Sequence, residues 1–578
     1  MATDTTSTDS TSIPNITGTA TNTQTFDAIV VGSGISGGWA AKELCEKGLK
    51  TLVLERGRQV QHLKDYPTMN KHPWEFPNRL QNTIEDQREN PVQSTAYTED
   101  NKHFFVSDKE HPYIQEKPFW WIRGYHVGGR SLTWGRQCYR LSDTDFEANA
   151  KDGIAVDWPI RYADIAPWYD YVEQFVGVSG QAENHPHFPD GTFIDPMEMN
   201  CVEIDFADKV KKNFPDRLVT IARVANLTKG FTNRGPCQYR NLCSRGCPFG
   251  GYFSSNSATL PAAMATGNMT LVTDAIVTEV IYNESTQVAK GVRVINALDN
   301  TVTEYYARVI FLNASTVATA SILLQSKSAR FPNGLGNSSG QVGKNLMDHP
   351  MGPGATGEHT GLQDKYYSGR RPAGIYIPRY QNLDEATKKP YLRGYAYQGD
   401  GERMEWPDKM KNLDGFGADF KENLTTPGPW TMWMGARGEC LPYETNRVTL
   451  DSEQKDKWGL PLVRINFEFG ENEKAMRADM QKDAVEMLEK AGFINVKGFD
   501  YNTTAGRAVH EMGTARMGRD PKTSVLNAYN QMHEVPNVYI TDGSCMTSSG
   551  VQNPSLTYMA LTARACAHAV EEMKKGSF

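Results

Sequence analysis

Three cysteines of the chain are clustered. Cys237, Cys243 and Cys247 lie within one eleven-residue stretch, and Pro248 follows the last of them. Cysteines at such spacing in a loop are typical ligands of iron–sulfur clusters. Three thiolates suffice for a three-iron four-sulfur (3Fe-4S) cluster, whereas a structural zinc ion takes a fourth ligand. The alternatives are a disulfide beside one spare thiol, or a purely structural loop.

Three glycines could bind phosphates. Gly32, Gly34 and Gly37 have the G-x-G-x-x-G spacing of a dinucleotide fingerprint. In such a fingerprint the first glycine permits a tight turn, the second lets the backbone approach a pyrophosphate, and the third lets helix and strand pack closely. Glu55 can accept hydrogen bonds from ribose hydroxyls and disfavours the 2′-phosphate of NADP. These residues predict an ADP-containing cofactor.

The elements that hold this fingerprint form a βαβ unit. Residues 28–31 predict a strand that ends at the first glycine, a stretch compatible with a helix follows, and residues 51–54 predict a second strand that ends at Glu55. The helix would direct unpaired N–H groups and its positive dipole end at the phosphates. The ordered combination is more specific than the glycine spacing alone.

Later segments predict further strands and helices. Residues 271–296 contain two β-branched runs joined by a polar turn, which is typical of a hairpin. Residues 308–313 and 538–541 predict buried strands, and 473–492 an amphipathic helix. Residues 59–117 are rich in Pro, Asn, Gln and charge, which predicts a long surface excursion.

Composition limits the classes of partner. The 578 residues are 39% hydrophobic and 22% charged, which is ordinary for a globular chain with more than one core. The net charge of -7 gives no electrostatic footprint for nucleic acid, and no window is apolar enough for a membrane span. Residues 1–24 are mostly small and polar, without the regions of a signal peptide, and predict a disordered tail.

Six motifs occur in an order and spacing typical of one family. They are VGGRSLTWG (127–135), ASTVATASILLQS (314–326), GKNLMDHP (343–350), VHEMGT (509–514), TDGS (541–544) and QNPSLT (552–557). On these motifs the chain resembles the glucose-methanol-choline (GMC) family of FAD-dependent oxidoreductases over nearly its whole length after the tail. The second motif departs from the family pattern, with Ala-Ser in place of Ser-Pro.

The resemblance implies FAD rather than NAD, and an α/β fold like that of p-hydroxybenzoate hydroxylase. A Rossmann-like FAD-binding domain is joined to a substrate-binding domain with an antiparallel sheet. The FAD-binding domain is expected to comprise residues 25–65, 215–345 and 500–578, with 118–140 lying along the flavin. The substrate-binding domain and surface excursions are expected to comprise residues 66–214 and 346–499.

The resemblance also implies which residues bind FAD. Thr133 stands where relatives with covalent FAD have a histidine, so non-covalent FAD is expected. The positions that match the family's cofactor contacts are Gly32, Gly34, Gly37, Glu55, Gly128, Gly129, Ser131, Thr133, Val277, Asp542, Asn553, Pro554 and Ser555.

Two residues match the catalytic positions of the family. Oxidising a secondary alcohol requires removal of the hydroxyl proton while a hydride leaves the carbon, and a neutral imidazole suits the first task. His510 matches the family's catalytic base, and Asn553 matches the partner position that can hold the substrate oxygen. The alternative for His510 is a core histidine with a structural role.

The cysteine loop resembles that of dehydrogenase-type catalytic subunits, which pass electrons through an iron–sulfur cluster to a cytochrome c partner. The resemblance is greatest to glucoside 3-dehydrogenases, which oxidise the C3 hydroxyl of glucosides and disaccharides and have a small subunit. Trp433, Arg437 and Glu439 are the expected substrate contacts, the alternative being a core tryptophan beside a salt bridge.

Other functions are also compatible with the sequence. They are a gluconate, fructose or sorbitol type of dehydrogenase, an O2-using oxidase like pyranose oxidase, and a non-redox flavoprotein or assembly subunit. The compartment is also open: periplasmic or membrane-associated through a partner subunit, or else cytoplasmic.

Overall fold

The structure, a computed structural model, describes residues 25–231, 233–365, 372–404, 413, 415–501 and 504–578. The predicted tail, residues 1–24, lies outside the described residues. The strands are β1 Thr25–Val31, β2 Thr51–Leu54, β3 Ile114–Gln115, β4 Thr220–Ile221, β5 Met269–Val272, β6 Ala275–Asn283, β7 Val288–Asn296, β8 Val302–Leu312, β9 Met351–His359, β10 Ile375–Ile377, β11 Tyr395–Arg403, β12 Trp430–Gly438, β13 Arg447–Lys455, β14 Pro461–Asn466, β15 Ile494–Asp500 and β16 Val538–Ile540.

The α-helices of the described residues vary from one turn to more than five. They are α1 Ile35–Glu46, α2 Ile84–Glu89, α3 Asp143–Phe146, α4 Ala148–Asp152, α5 Tyr162–Val176, α6 Cys201–Asn213, α7 Thr259–Ala265, α8 Thr316–Gln325, α9 Gly417–Asn423, α10 Glu471–Lys490 and α11 Ser555–Lys575. Within the described ranges, no helix has the length and apolar character needed to cross a membrane.

The first sheet has the order β5-β2-β1-β8-β7-β6, with β16 also beside β8. Strands β5, β2, β1, β8 and β16 are parallel, whereas β6 and β7 are antiparallel. Helix α1 connects β1 to β2, so the predicted βαβ unit is present. One edge of β8 is shared, because residues 302–306 pair with β7 and residues 310–312 pair with β16.

The hairpin prediction was wrong at its beginning. The apolar run breaks at Asp274, whose φ of 53° is left-handed. As a result β5 joins the parallel edge beside β2, and only β6 pairs with β7 as the predicted hairpin. The run therefore divides into two strands because the chain must change direction at the aspartate.

The second sheet has the order β15-β9-β12-β11-β10-β4 and is antiparallel. Helix α10 covers one face, where Met476 and Met480 pack with Met432 and Met434 of β12. Strand β4 belongs to this sheet, although the sequence placed it in the FAD-binding domain.

A third sheet consists of β13, β14 and β3. A Rossmann-like sheet joined to an antiparallel sheet confirms the predicted α/β fold class.

Candidate active site

A cavity of about 420 Å³ lies between the first sheet, residues 121–137 and the beginning of β14. Most of the positions predicted to bind the cofactor border it. These positions are Gly32, Gly34, Glu55, Gly129, Ser131, Thr133, Val277, Asp542, Asn553, Pro554 and Ser555, and His510 borders the same cavity. Gly37 and Gly128 do not line it but shape the loops that do.

The fingerprint glycines have three different roles. Gly32 has a φ of 92°, and a Cβ there would lie 2.4 Å from the carbonyl oxygen of Asn313. A Cβ on Gly37 would lie 1.9 Å from the carbonyl oxygen of Gly32, so only glycine permits this contact between helix and strand. A Cβ on Gly34 would meet no atom within 4 Å. That open space lies at the beginning of α1, which has no side-chain cap, and suits a pyrophosphate.

Glu55 organises the phosphate loop as well as lining the cavity. Its carboxylate accepts hydrogen bonds from Ser33 N (3.1 Å), Ser33 Oγ (2.5 Å) and Gly57 N (2.9 Å). The Ser33 hydroxyl oxygen in turn accepts a bond from Gly128 N at 2.9 Å, which links the fingerprint to the VGGRSLTWG motif. Burial raises the pKa of Glu55, and the three donors oppose that shift.

Two further helix N-termini face the same cavity. Asp542 accepts hydrogen bonds from Ser315 N (2.9 Å) and Thr319 Oγ1 (2.6 Å) at the beginning of α8. Helix α11 begins at Ser555, after Asn553 and Pro554, and has no side-chain cap. Its unpaired N–H groups and positive dipole end are therefore available to a polar or anionic part of a bound ligand.

His510 and Asn553 lie together, as expected for a catalytic pair. Asn553 Nδ2 is 3.5 Å from His510 Nε2, and Asn553 Oδ1 accepts a hydrogen bond from Gln398 Nε2 at 2.6 Å. The Gln398 contact therefore directs the amide NH2 group of Asn553 toward the histidine. An alcohol oxygen placed between Nδ2 and Nε2 could donate its proton to the imidazole while accepting a bond from the amide.

The backbone around His510 is fixed by a buried carboxylate. Asp348 accepts hydrogen bonds from His510 N (3.1 Å) and Gly506 N (2.8 Å). Burial and the nearby Glu511 raise the pKa of Asp348 to about 7. Val509 has a φ of 55°, a left-handed conformation that is strained for a β-branched residue. This combination of anchoring and strain places the imidazole at the cavity.

A second histidine contacts the first. His349 Nδ1 lies 2.9 Å from His510 Nδ1, and the two rings meet edge to face. Burial lowers the pKa of His510 well below its usual range, and the neighbours His349, Arg437 and Arg130 lower it further. Burial also lowers the pKa of His349 to about 4. Both rings are therefore neutral near pH 7, which is the state that a general base requires.

The three predicted substrate contacts are not all brought together. Trp433 and Arg437 are partly buried and lie on the face of β12 opposite the core methionines. Glu439 is buried and pairs with Arg393 at 3.4 Å, and burial raises its pKa. Its carboxylate is therefore engaged in an ion pair and does not join His510.

The cysteine loop borders a small separate cavity. Cys237, Cys243 and Cys247 all line it and are free thiols. Cys247 Sγ accepts a hydrogen bond from Gly251 N at 3.3 Å, and burial raises the pKa of Cys237. Among the residues described here, no three His, Cys, Asp or Glu side chains are placed to share a single metal ion. The disulfide alternative is not seen, and the arrangement does not form a single-ion site.

Sequence reasoning missed several residues of the site. Asp348 and His349 belong to the GKNLMDHP motif, so a signal was present although no role was assigned to them. Gln398 gave no signal, because it lies on β11, far along the chain from Asn553. Arg130 was also given no role; its guanidinium pairs with Glu511 at 2.7 Å beside the histidine.

The cavity fits FAD in several respects. Gly34 leaves open space at an uncapped helix N-terminus, and Glu55 and Val277 border the same cavity as the histidine–asparagine pair. A buried Tyr558 hydroxyl in the lining has no partner within the described protein. A Rossmann-like cleft joined to such a pair defines the class of flavin-dependent oxidoreductases that act on CH–OH groups.

Comparison with known proteins identifies the family. Models described as GMC oxidoreductase match residues 26–351 and 442–562. The chain therefore belongs to the GMC oxidoreductases, which bind FAD and act on CH–OH groups.

The similarity to other proteins extends over most of the chain. The 2-methyl-1,2-propanediol dehydrogenase of Mycolicibacterium austroafricanum is 28% identical, over 94% of this chain and 95% of that protein. The fructose dehydrogenase large subunit of Gluconobacter japonicus is 23% identical, over 96% and 99%. The formate oxidase of Aspergillus oryzae has a similar fold, with a TM-score of 0.60, 15% identity and coverage of 96% and 100%.

Proposed function

We propose that this GMC oxidoreductase is a dehydrogenase that oxidises the C3 hydroxyl of a glucoside or disaccharide to the 3-keto sugar. The observation that carries the proposal is the placement of His510 Nε2 beside Asn553, next to a sheet face that bears Trp433 and Arg437. Aromatic and hydrogen-bonding side chains suit a sugar, and Arg437 lies close enough to His510 to lower the pKa of that histidine, although neither Trp433 nor Arg437 borders the 420 Å³ cavity.

The protein residues have separate tasks in this reaction. His510 is the general base, because burial keeps its imidazole neutral and Nε2 faces the substrate side. Asn553, oriented by Gln398, holds the substrate oxygen. FAD, held without a covalent bond by the fingerprint loop, Glu55 and the residues around Asn553, supplies the hydride acceptor when bound.

We also propose that Cys237, Cys243 and Cys247 hold a 3Fe-4S cluster. The presence of three free thiols along the lining of one small cavity, with a backbone N–H directed at one sulfur, supports this assignment. Such a cluster would carry electrons to a cytochrome c-type acceptor, in an assembly with a small subunit. Iron and acid-labile sulfide in protein purified without oxygen test this part of the proposal.

A polyol or ketose is the second candidate substrate, and the relatives support it. Their names include 2-methyl-1,2-propanediol dehydrogenase and fructose dehydrogenase. An oxidase reaction is the further alternative, and rapid peroxide formation in air would favour it.

The deciding experiment is an anaerobic visible and EPR spectrum before and after addition of methyl glucoside, sucrose, fructose or 2-methyl-1,2-propanediol. Bleaching of the flavin by the glucosides, with a 3-keto product by NMR, supports the proposal. Bleaching by fructose or the diol alone would replace it with the second candidate.

A further inference from the structure

The substrate-facing side of β12 is built around a glycine. Gly435 lies between Trp433 and Arg437 on the same face of the strand. A Cβ on Gly435 would lie 2.7 Å from the Trp433 indole, so the indole lies over the glycine. Gln398 of β11 is opposite Gly435 in the sheet register and donates to Asn553. The platform formed by Trp433, Gly435 and Arg437 therefore adjoins the catalytic pair.

Arg437 on this platform has no counter-charge. Within the described ranges, its guanidinium makes no hydrogen bond and has no carboxylate within ion-pair distance. The acidic groups nearest to the catalytic histidine are engaged elsewhere, because Asp348 accepts two backbone bonds and Glu511 pairs with Arg130. The groups that Arg437 faces are the uncharged rings of Tyr139 and Tyr376 and the two histidines.

Arg393, another arginine near this sheet, is paired with carboxylates. Arg393 pairs with Asp152 at 2.9 Å and with Glu439 at 3.4 Å, and its Nη1 and Nε atoms are enclosed by protein. The guanidinium of Arg437 is not enclosed in this way, and burial lowers its pKa without an acidic partner to oppose the shift. Partial removal of a cation from water without a partner is unfavourable. A ligand that brings a negative charge would offset this cost.

The alkoxide formed from the substrate during oxidation would not supply the negative charge that Arg437 lacks. In the proposed reaction the reacting oxygen is held by Asn553 Nδ2 and His510 Nε2, which lie 3.5 Å apart. Arg437 lies opposite Ala396, two residues along β11 from Gln398, so it reaches a different part of a bound sugar. A planar guanidinium is suited to bidentate recognition of a carboxylate.

Building on the proposed function, we infer that Arg437 is the anion-binding residue of the substrate site and that the glycoside oxidised here carries a carboxylate. The carboxylate is located on the sugar ring or on the aglycone, on the side that faces β12. Trp433 contacts the apolar face of the sugar, while Gln398, through Asn553, positions the reacting hydroxyl.

Two pairs of substrates test this inference. Methyl glucuronide has a carboxylate in place of the C6 hydroxymethyl group of methyl glucoside, and 4-carboxyphenyl glucoside differs from phenyl glucoside only in a carboxylate on the aglycone. We expect kcat/KM of the wild-type protein, measured with a dye acceptor, to favour the carboxylate member of at least one pair about tenfold or more. In Arg437→Gln, kcat/KM for that member should fall about 30-fold or more, and for its neutral partner by less than about threefold.

Matched variants separate charge from structure. Arg437→Lys keeps the charge without the planar fork and should recover part of the preference. Lys497→Gln, on the exposed part of β15, changes net charge equally and should leave both substrates unaffected. The Tm and FAD content of Arg437→Gln should not fall, since an uncompensated charge has been removed.

The outcomes are distinct. Equal losses on both members of a pair in Arg437→Gln, or a wild-type preference for the neutral member of both pairs, would overturn the carboxylate inference and leave the proposed glucoside oxidation intact. If none of the four glycosides bleaches the flavin, the proposed function itself fails, and the inference fails with it.

Discussion

The Nδ1 atoms of His349 and His510 lie 2.9 Å apart, so one ring donates a hydrogen bond to the other. Gln398 directs the amide NH2 group of Asn553 at His510 Nε2, so Nε2 is the acceptor and the ring hydrogen of His510 lies on Nδ1. His510 therefore donates to His349, and its Nε2 lone pair is directed toward Asn553. His349 then carries its hydrogen on Nε2, which is buried, and the backbone of Ser549 and Gly550 lies beside its ring.

Replacing His510 with alanine should remove turnover and retain FAD. We expect kcat to fall by about 10²- to 10⁴-fold, the usual contribution of a general base. FAD content by absorbance and kcat with a dye acceptor are the measurements. His72→Ala at an exposed position is the control. Near-normal activity in His510→Ala would remove this residue from the mechanism.

The acid limb of the pH profile should lie below pH 6.5, the ordinary pKa of histidine. Burial and positive neighbours lower the pKa of His510, so the imidazole stays neutral and active as the pH falls through 6.5. In Arg437→Gln one positive neighbour is lost, which raises the pKa of His510 and moves the acid limb to higher pH. The measurement is kcat/KM against pH for a neutral substrate, and an unmoved limb would contradict the coupling.

Two glycine substitutions should separate folding from cofactor binding. Gly37→Ala places a Cβ against the Gly32 carbonyl and should lower the free energy of unfolding of the apoprotein by about 3 kcal/mol. Gly34→Ala meets open space in the apoprotein, so its stability should change by less than about 1 kcal/mol. FAD affinity of Gly34→Ala should nevertheless fall at least tenfold, by about 1.4 kcal/mol. Denaturant unfolding and FAD titration distinguish these results.

Cys243→Ser should remove iron and cytochrome reduction but keep reduction of the flavin by substrate. The reason is that the loop borders a cavity separate from the one that contains His510. Metal analysis and anaerobic spectra are the measurements, with the partly buried Cys201→Ser as control. Absence of iron from wild-type protein purified without oxygen would end the cluster proposal.

Val509→Gly should lower activity without lowering stability. Relief of the left-handed conformation is worth about 1–2 kcal/mol, which offsets the entropy cost of glycine of about 0.5–1 kcal/mol. The looser backbone beside His510 should reduce kcat several-fold at an unchanged or slightly higher Tm. Asn300→Gly, at an exposed left-handed turn, should leave kcat unaltered. A lower Tm in Val509→Gly would show that the valine side chain stabilises the fold.

The elements that sequence reasoning described well are those with local signals. The βαβ unit has both its apolar strand patterns and its glycines within one stretch of the sequence. The long helix predicted at 473–492 is present as α10. His510 and Asn553 were predicted to share one site because each belongs to a motif, and the structure places their side chains together. The split at Asp274 was missed because it depends on which strand lies beside β5 in space.

The relationships that sequence reasoning could not provide are those between distant strands. Gln398 reaches Asn553 only because β11 lies over the beginning of α11. The engagement of Glu439 with Arg393, and the absence of a described counter-charge at Arg437, depend on the sheet register rather than on neighbouring residues. From their side-chain types alone, Arg437 and Glu439 were equally good candidates for substrate contacts.

The shared edge of β8 determines when the first sheet can be completed during synthesis of the protein. Strand β16 completes that edge, and α11 packs Ala565 and Ala569 against Ala40 and Leu44 of α1. The βαβ unit of β1, α1 and β2 therefore exposes apolar surface until β16 and α11 have been synthesised. Pairing between segments so far apart in the sequence is slow and leaves the incomplete sheet prone to aggregation.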